Sequence, residues 1–108
     1  MKNQQIRYFL AVCDELNFTR AALRCGITQP TLSLGLRRME QRLGGDLFIR
    51  TPEVRLTPLA KQLRPILEEV DRLFAKAEQL CLGAAKIKLE TRRRRFERMP
   101  AVSKVKAP

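Results

Sequence analysis

The chain has 108 residues, 44% hydrophobic and 31% charged, with no histidine and a formal net charge of +11. That length suits one small domain with an extension and leaves no room for a sensing domain of ordinary size. The missing histidine removes the commonest general base and zinc ligand, so no enzyme activity, metal site or cofactor is expected. The charge is uneven: residues 86–108 hold nine Lys and Arg against two Glu, and residues 1–85 hold thirteen against nine. Such a surplus favours polyanions, because each cation that meets a phosphate releases condensed counterions. Cys13, Cys25 and Cys81 are odd in number and widely spaced, which points to a reducing interior rather than a disulfide framework. No secretory leader and no bilayer-length apolar run is visible, so a cytoplasmic protein without a membrane partner is expected.

Along residues 4–16 apolar groups fall at Ile6, Phe9, Leu10, Val12, Cys13 and Leu16, a stripe at helical spacing. Asn17 interrupts it, and Thr19 is the predicted cap of a second helix that runs to about Cys25. Gly26 suits the left-handed corner that follows. Thr28 caps a third helix beginning near Gln29, with Pro30 in the first turn, where a missing N–H costs little. Leu32, Leu36, Met39 and Leu43 mark its buried side. Its other side presents Gln29, Thr31, Ser33, Leu34, Arg37 and Arg38.

Gly44 and Gly45 stop that helix, after which LFIR and VRL flank a TPE turn as a two-stranded wing. Thr57 and Pro58 then open a long helix. Leu59, Leu63, Ile66, Val70, Leu73, Ala77 and Leu80 recur at an average of 3.5 residues, the period of a coiled-coil seam, so this helix is predicted to pair two chains. Pro65 predicts a local kink and Gly83 an end. The predicted organisation is therefore a mainly α winged helix-turn-helix over 1–57, a dimerisation helix over 58–82 and a basic, disordered tail over 83–108.

The second helix of such a corner enters the major groove of DNA, where its early exposed side chains reach base edges. Gln29 can pair with adenine, Thr31 can offer a hydroxyl or touch a thymine methyl, and Pro30 gives van der Waals contact. Ser33, Arg37 and Arg38 suit phosphates or base edges nearer the helix middle. Thr19 and Arg20 sit at a helix N-terminus, which favours a phosphate. Arg50 and Arg55 flank the wing turn and can follow the backbone or dip into the minor groove. Tyr8, Phe9, Phe18 and Phe48 lie on apolar stripes and read as core rather than base-stacking platforms.

The run YFLAVCDELNFTRAALRCGITQPTLSLGLRRMEQRLGGDLFIR, followed by VRLTPLA, resembles the DNA-binding half of the LysR-type transcriptional regulators over about residues 4–82. NFTRAA, TQP, LFIR and LTP in this order are the distinguishing parts. The resemblance implies a bacterial regulator whose linker helix pairs two chains so that two recognition helices face adjacent major grooves. By position it implies DNA contacts from Thr19, Arg20, Gln29, Pro30, Thr31, Ser33, Arg37 and Arg50. The family often carries a basic or polar residue where Leu34 stands, and Leu34 with Gly35 predicts weaker discrimination from the helix middle. Ala60 replaces a frequent glycine harmlessly.

Full-length members of the family continue into an effector-binding domain, which AAKIKL only faintly resembles. The expectation is a naturally short regulator, a truncated or frameshifted product or an excised piece, acting without a small-molecule effector. On the first of these, Arg92 to Arg95 supply electrostatic affinity. Three functions compete: a sequence-specific homodimeric regulator of double-stranded DNA on the nucleoid, a module forming heterodimers with full-length relatives, and a non-specific nucleic-acid binder driven by the tail.

Overall fold

A computed structural model of the chain describes residues 1–98, as four helices and one hairpin: α1 (Asn3–Glu15), α2 (Phe18–Cys25), α3 (Gln29–Leu43), β1 (Phe48–Ile49), β2 (Arg55–Leu56) and α4 (Pro58–Arg98). Residues Met1–Leu73 form one compact unit, which takes in the first part of α4 rather than closing at residue 57. The second unit begins at Phe74.

Short local signals set each helix boundary in the first unit. At the start of α1 the Lys2 N–H donates to Gln5 Oε1 at 3.0 Å. The same Gln5 side chain donates from Nε2 to the Gly35 carbonyl of α3 at 3.3 Å. Leu16 ends α1 in the left-handed conformation, φ 50°, a position that glycine usually takes. Asn17, not Thr19, caps α2: its Oδ1 accepts from the Arg20 N–H at 2.9 Å. Both residues are capping types, and the αL turn at Leu16 brings the asparagine to the cap two positions earlier than expected. Gly26 closes α2 at φ 70°, and Thr28 caps α3 by accepting from the Thr31 N–H. Gly44 closes α3.

The core is one cluster centred on Phe9, Val12, Leu32, Leu36, Met39 and Leu47, all fully buried. Phe48 brings the hairpin into it, with ring centroids 5.6 Å from Phe9 and 5.9 Å from Phe18. Tyr8, Phe9, Phe18 and Phe48 thus pack in or against the core, as their stripes imply. Leu43, expected on the buried side of α3, is exposed in its last turn. Cys13 is buried in the same cluster, and burial pushes its thiol up to about 12, an inert core filler. Gly35 has a steric reason to be glycine. A Cβ there would lie 3.0 Å from Tyr8 Cδ2, so its absence lets α1 and α3 approach closely.

The hairpin is minimal, two residues per strand, pairing Phe48 with Leu56 and Ile49 with Arg55 in antiparallel register. Thr57 joins it to α4. Its Oγ1 accepts from the Ala60 N–H at 3.2 Å while donating to the Asp46 carbonyl at 2.7 Å. Within the first unit α4 buries Ala60 and Leu67 and packs Leu63 against the core, so Leu63 faces its own domain rather than the expected seam. Asp14 of α1 ties the same helix to α2, pairing with Arg64 at 2.6 Å and Arg24 at 3.0 Å.

In the second unit the expected stop at Gly83 and tail over 83–98 are corrected: α4 runs through Gly83 to Arg98. One exposed glycine costs a helix about 1 kcal/mol, too little to end a long one. The helix also runs on through Pro65. Residues 99–108 of the expected tail, and the side chains of Arg93 to Arg95, lie outside the described residues. Among the described residues no helix is long and apolar enough to cross a membrane.

The corner between α2 and α3 rests on the positive φ of Gly26, where nothing lies within 4 Å of an added Cβ. Gly26→Ala is therefore expected to cost about 1–2 kcal/mol from backbone strain alone, read as a lower urea midpoint with an unchanged denaturant slope.

Candidate nucleic-acid interface

The face available to a duplex is built on α3. Its buried stripe, Leu32, Leu36 and Met39, is fully enclosed, which turns the opposite side outward. There Gln29, Pro30, Thr31, Leu34, Arg37 and Arg38 are exposed, and Ser33 is half-buried at the edge. The early polar side chains have partners within the helix. Gln29 Nε2 donates to Ser33 Oγ at 3.0 Å, and the Thr28 and Thr31 hydroxyls share a hydrogen bond of 2.8 Å. These bonds hold the first-turn rotamers while leaving Gln29 Oε1 as an outward acceptor.

Thr19 and Arg20 are exposed in the first turn of α2. Asn17 takes the Arg20 N–H, so the earlier N–H groups of that turn and the helix dipole remain for an anion. Arg55 is exposed on β2. Arg50 is placed differently from a free wing arginine. Its guanidinium lies 5.2 Å above the Phe18 ring and donates to Glu40 Oε1 at 2.9 Å.

Glu40 is the residue that sequence reading missed. It is only 7% exposed, on the inner side of α3, and its Oε2 accepts from the Leu47 N–H at 2.7 Å and the Phe48 N–H at 3.4 Å. The carboxylate thereby meets the donors that open the wing, and Arg50 supplies the counter-charge. An acid adjacent to Met39, at the margin of an apolar helical stripe, is the signal that was there to find. Arg37 of α3 and Arg50 of the wing line one open cleft of about 590 Å³ with Glu40 and Gly45. Two cations and two carboxylates, Arg37 and Arg50 with Glu40 and Asp46, thus border the groove between α3 and the wing.

The seven seam residues are placed differently within each unit. In the first unit Leu59, Ile66, Val70 and Leu73 are exposed, Ile66 at 59%, while Leu63 turns inward. In the second unit Ala77 and Leu80 are exposed, and Ala84 and Ile87 continue their spacing beyond Gly83.

Comparison with known proteins agrees with this geometry. The family model for the bacterial regulatory helix-turn-helix protein, lysR family, matches residues 3–61. The uncharacterized HTH-type transcriptional regulator YnfL of Escherichia coli is 45% identical over 87 residues, 76% of this chain and 29% of YnfL. XapR of the same organism is 42% identical over 85 residues, 74% of this chain and 29% of its own. The chain thus spans under a third of the length of these relatives. Among solved structures, the BenM DNA-binding domain in complex with benA site 1 DNA superposes with a TM-score of 0.66 at 30% identity, covering 82% of this chain and 97% of that one. The CbnR DNA-binding domain–DNA complex gives 0.72 at 26% identity, covering 79% and 99%.

Removing the Glu40 carboxylate leaves the Leu47 and Phe48 amides without their acceptor and Arg50 without its counter-charge. Glu40→Ala is expected to cost about 3 kcal/mol in chemical denaturation. Hydrogen exchange at the Leu47 amide should accelerate before that of the α1 core, and equal protection of that amide in both proteins would refute the role.

Proposed function

Because the chain belongs to the LysR family of bacterial regulatory helix-turn-helix proteins, we propose that it is a sequence-specific transcriptional regulator, binding double-stranded DNA as a homodimer on a two-fold-related site. The observation that carries the reading is the outward face of α3, held by two capped corners and flanked by the α2 N-terminus and the wing. In such a complex α3 lies in the major groove. Gln29, Pro30 and Thr31 meet base edges, and Ser33, Arg37 and Arg38 reach phosphates or bases further along. Thr19 and Arg20 grip one phosphate strand, while Arg50 and Arg55 follow the backbone at the wing. Relatives whose structures contain DNA, those of BenM and CbnR, support the choice of ligand.

The dimer rests on α4. Its outward apolar residues repeat at four and three, and an exposed stripe of that period is what a second helix covers. Pairing through Ile66, Val70, Leu73, Ala77 and Leu80 would place two copies of α3 one or two helical turns apart on one side of the duplex. The same seam would accept a longer relative, so a heterodimer uses identical contacts. A regulator of this kind works in the cytoplasm on the nucleoid.

Selection of bound sequences from a random DNA pool tests the reading. Wild-type protein should return a two-fold-related sequence, and Gln29→Ala should lose about ten-fold at particular base pairs rather than uniformly. A pool that stays random would overturn it. Replacing Ile66 and Leu73 together by Glu, both at exposed positions, should give a folded monomer in sedimentation that protects one half-site. An undiminished dimer would move the pairing surface elsewhere.

A further inference from the structure

The centre of the outward face of α3 is occupied by an apolar residue. At about 100° per residue, Leu34 projects about 160° away from the buried Leu32 and Leu36. On the same count Pro30, Arg38 and Gln41 lie within about 40° of it, and Thr31 and Arg37 at about 60°. Gln29 and Ser33, which bond to each other, lie further round, toward the edge of the face. Leu34 is 50% exposed, an isolated branched side chain in a ring of polar and cationic neighbours. Half of it stays open to a ligand, while the rest borders a shallow cleft with Gln4, Gln5 and Tyr8 of α1, and Gly35 beside it is packed against Tyr8. A helix entering a groove by this face drives Leu34 deepest.

We propose that Leu34 is a specificity-determining residue that recognises the C5 methyl of a thymine in each half-site. The inference rests on the function proposed above and names what the middle of the reading face detects. The major groove carries one apolar group, the thymine methyl, and a leucine has neither donor nor acceptor to offer the other base edges. Pro30, one turn earlier on the same ridge, extends the apolar strip toward the N-terminus of α3. The weak discrimination expected from a non-polar residue here is thereby replaced by a preference for thymine, obtained by burying two methyl-bearing groups against each other. Arg37 and Arg38 on either side hold the duplex by charge, independent of the base at the centre.

Uracil differs from thymine only by that methyl, which isolates the contact. With the selected site in hand, each thymine is replaced in turn by deoxyuridine and titrated with wild-type protein and with Leu34→Ala. Alanine at this exposed helical position keeps the fold. One thymine per half-site should weaken wild-type binding about four-fold when replaced, the worth of one buried methyl group. The same replacement should leave Leu34→Ala unchanged, and Leu34→Ala should bind the thymine site more weakly than wild type does. Equal uracil penalties in both proteins, or no thymine sensitive to replacement, would overturn the inference while the selected site still upheld the regulator. A pool that returned no preferred sequence would overturn both.

Discussion

The buried carboxylate of Glu40 is the contact on which the junction of α3 with the hairpin depends. An ionised side chain inside a small domain is tolerable only when its lone pairs are met, and here two backbone N–H groups and a guanidinium meet them. A hairpin of two-residue strands has too few ladder bonds to stand alone. Its geometry comes from this staple and from Thr57, both at the open end of the hairpin, where one hydroxyl serves both the Asp46 and Leu47 carbonyls and the first turn of α4. Because Glu40 belongs to α3, the wing is fixed directly to that helix. The stacking of Arg50 on Phe18 adds α2 to the same junction.

Electrostatics and packing divide their tasks in this domain. The exposed pairs of Asp14 with Arg24 and Arg64 are screened by solvent and add little stability each. Their value is directional, since one carboxylate holds residues from α2 and α4 against α1. The bulk of the stabilisation comes from the enclosed Phe9, Leu32, Leu36, Met39 and Leu47, with Ala60 and Leu67 bringing in α4. Outward side chains are thereby left for a ligand rather than for folding.

Local chemistry was legible in the sequence, and distant chemistry was not. Thr28 with Pro30, Gly26, and Thr57 with Pro58 announce helix ends through neighbours within three residues, and the structure agrees with each. Thr19 misled because it and Asn17 are both good caps. Only the backbone turn at Leu16, a left-handed residue with a side chain, decides between them. Gly83 misled because a glycine outside a packed region weakens a helix without ending it. The Glu40 and Arg50 pair joins residues ten apart on different elements, and the close approach of Tyr8 to Gly35 joins two helices. Neither leaves a periodic trace. Leu63 shows the same limit: a 3.5-residue repeat marks an apolar stripe, but not which of its members the domain's own core takes first.

The connections between the first three helices are very short, two residues between α1 and α2 and three between α2 and α3. With so little slack, inserting or deleting one residue inside a helix would rotate everything after it by about 100°, carrying Leu32 and Leu36 out of the core and the reading residues into it. Length variation among natural sequences of this type should therefore be absent before Leu43 and concentrated at the wing turn, where residues 51–53 are exposed. The register of the first half of the chain is a hereditary constraint as strict as the identity of its buried side chains.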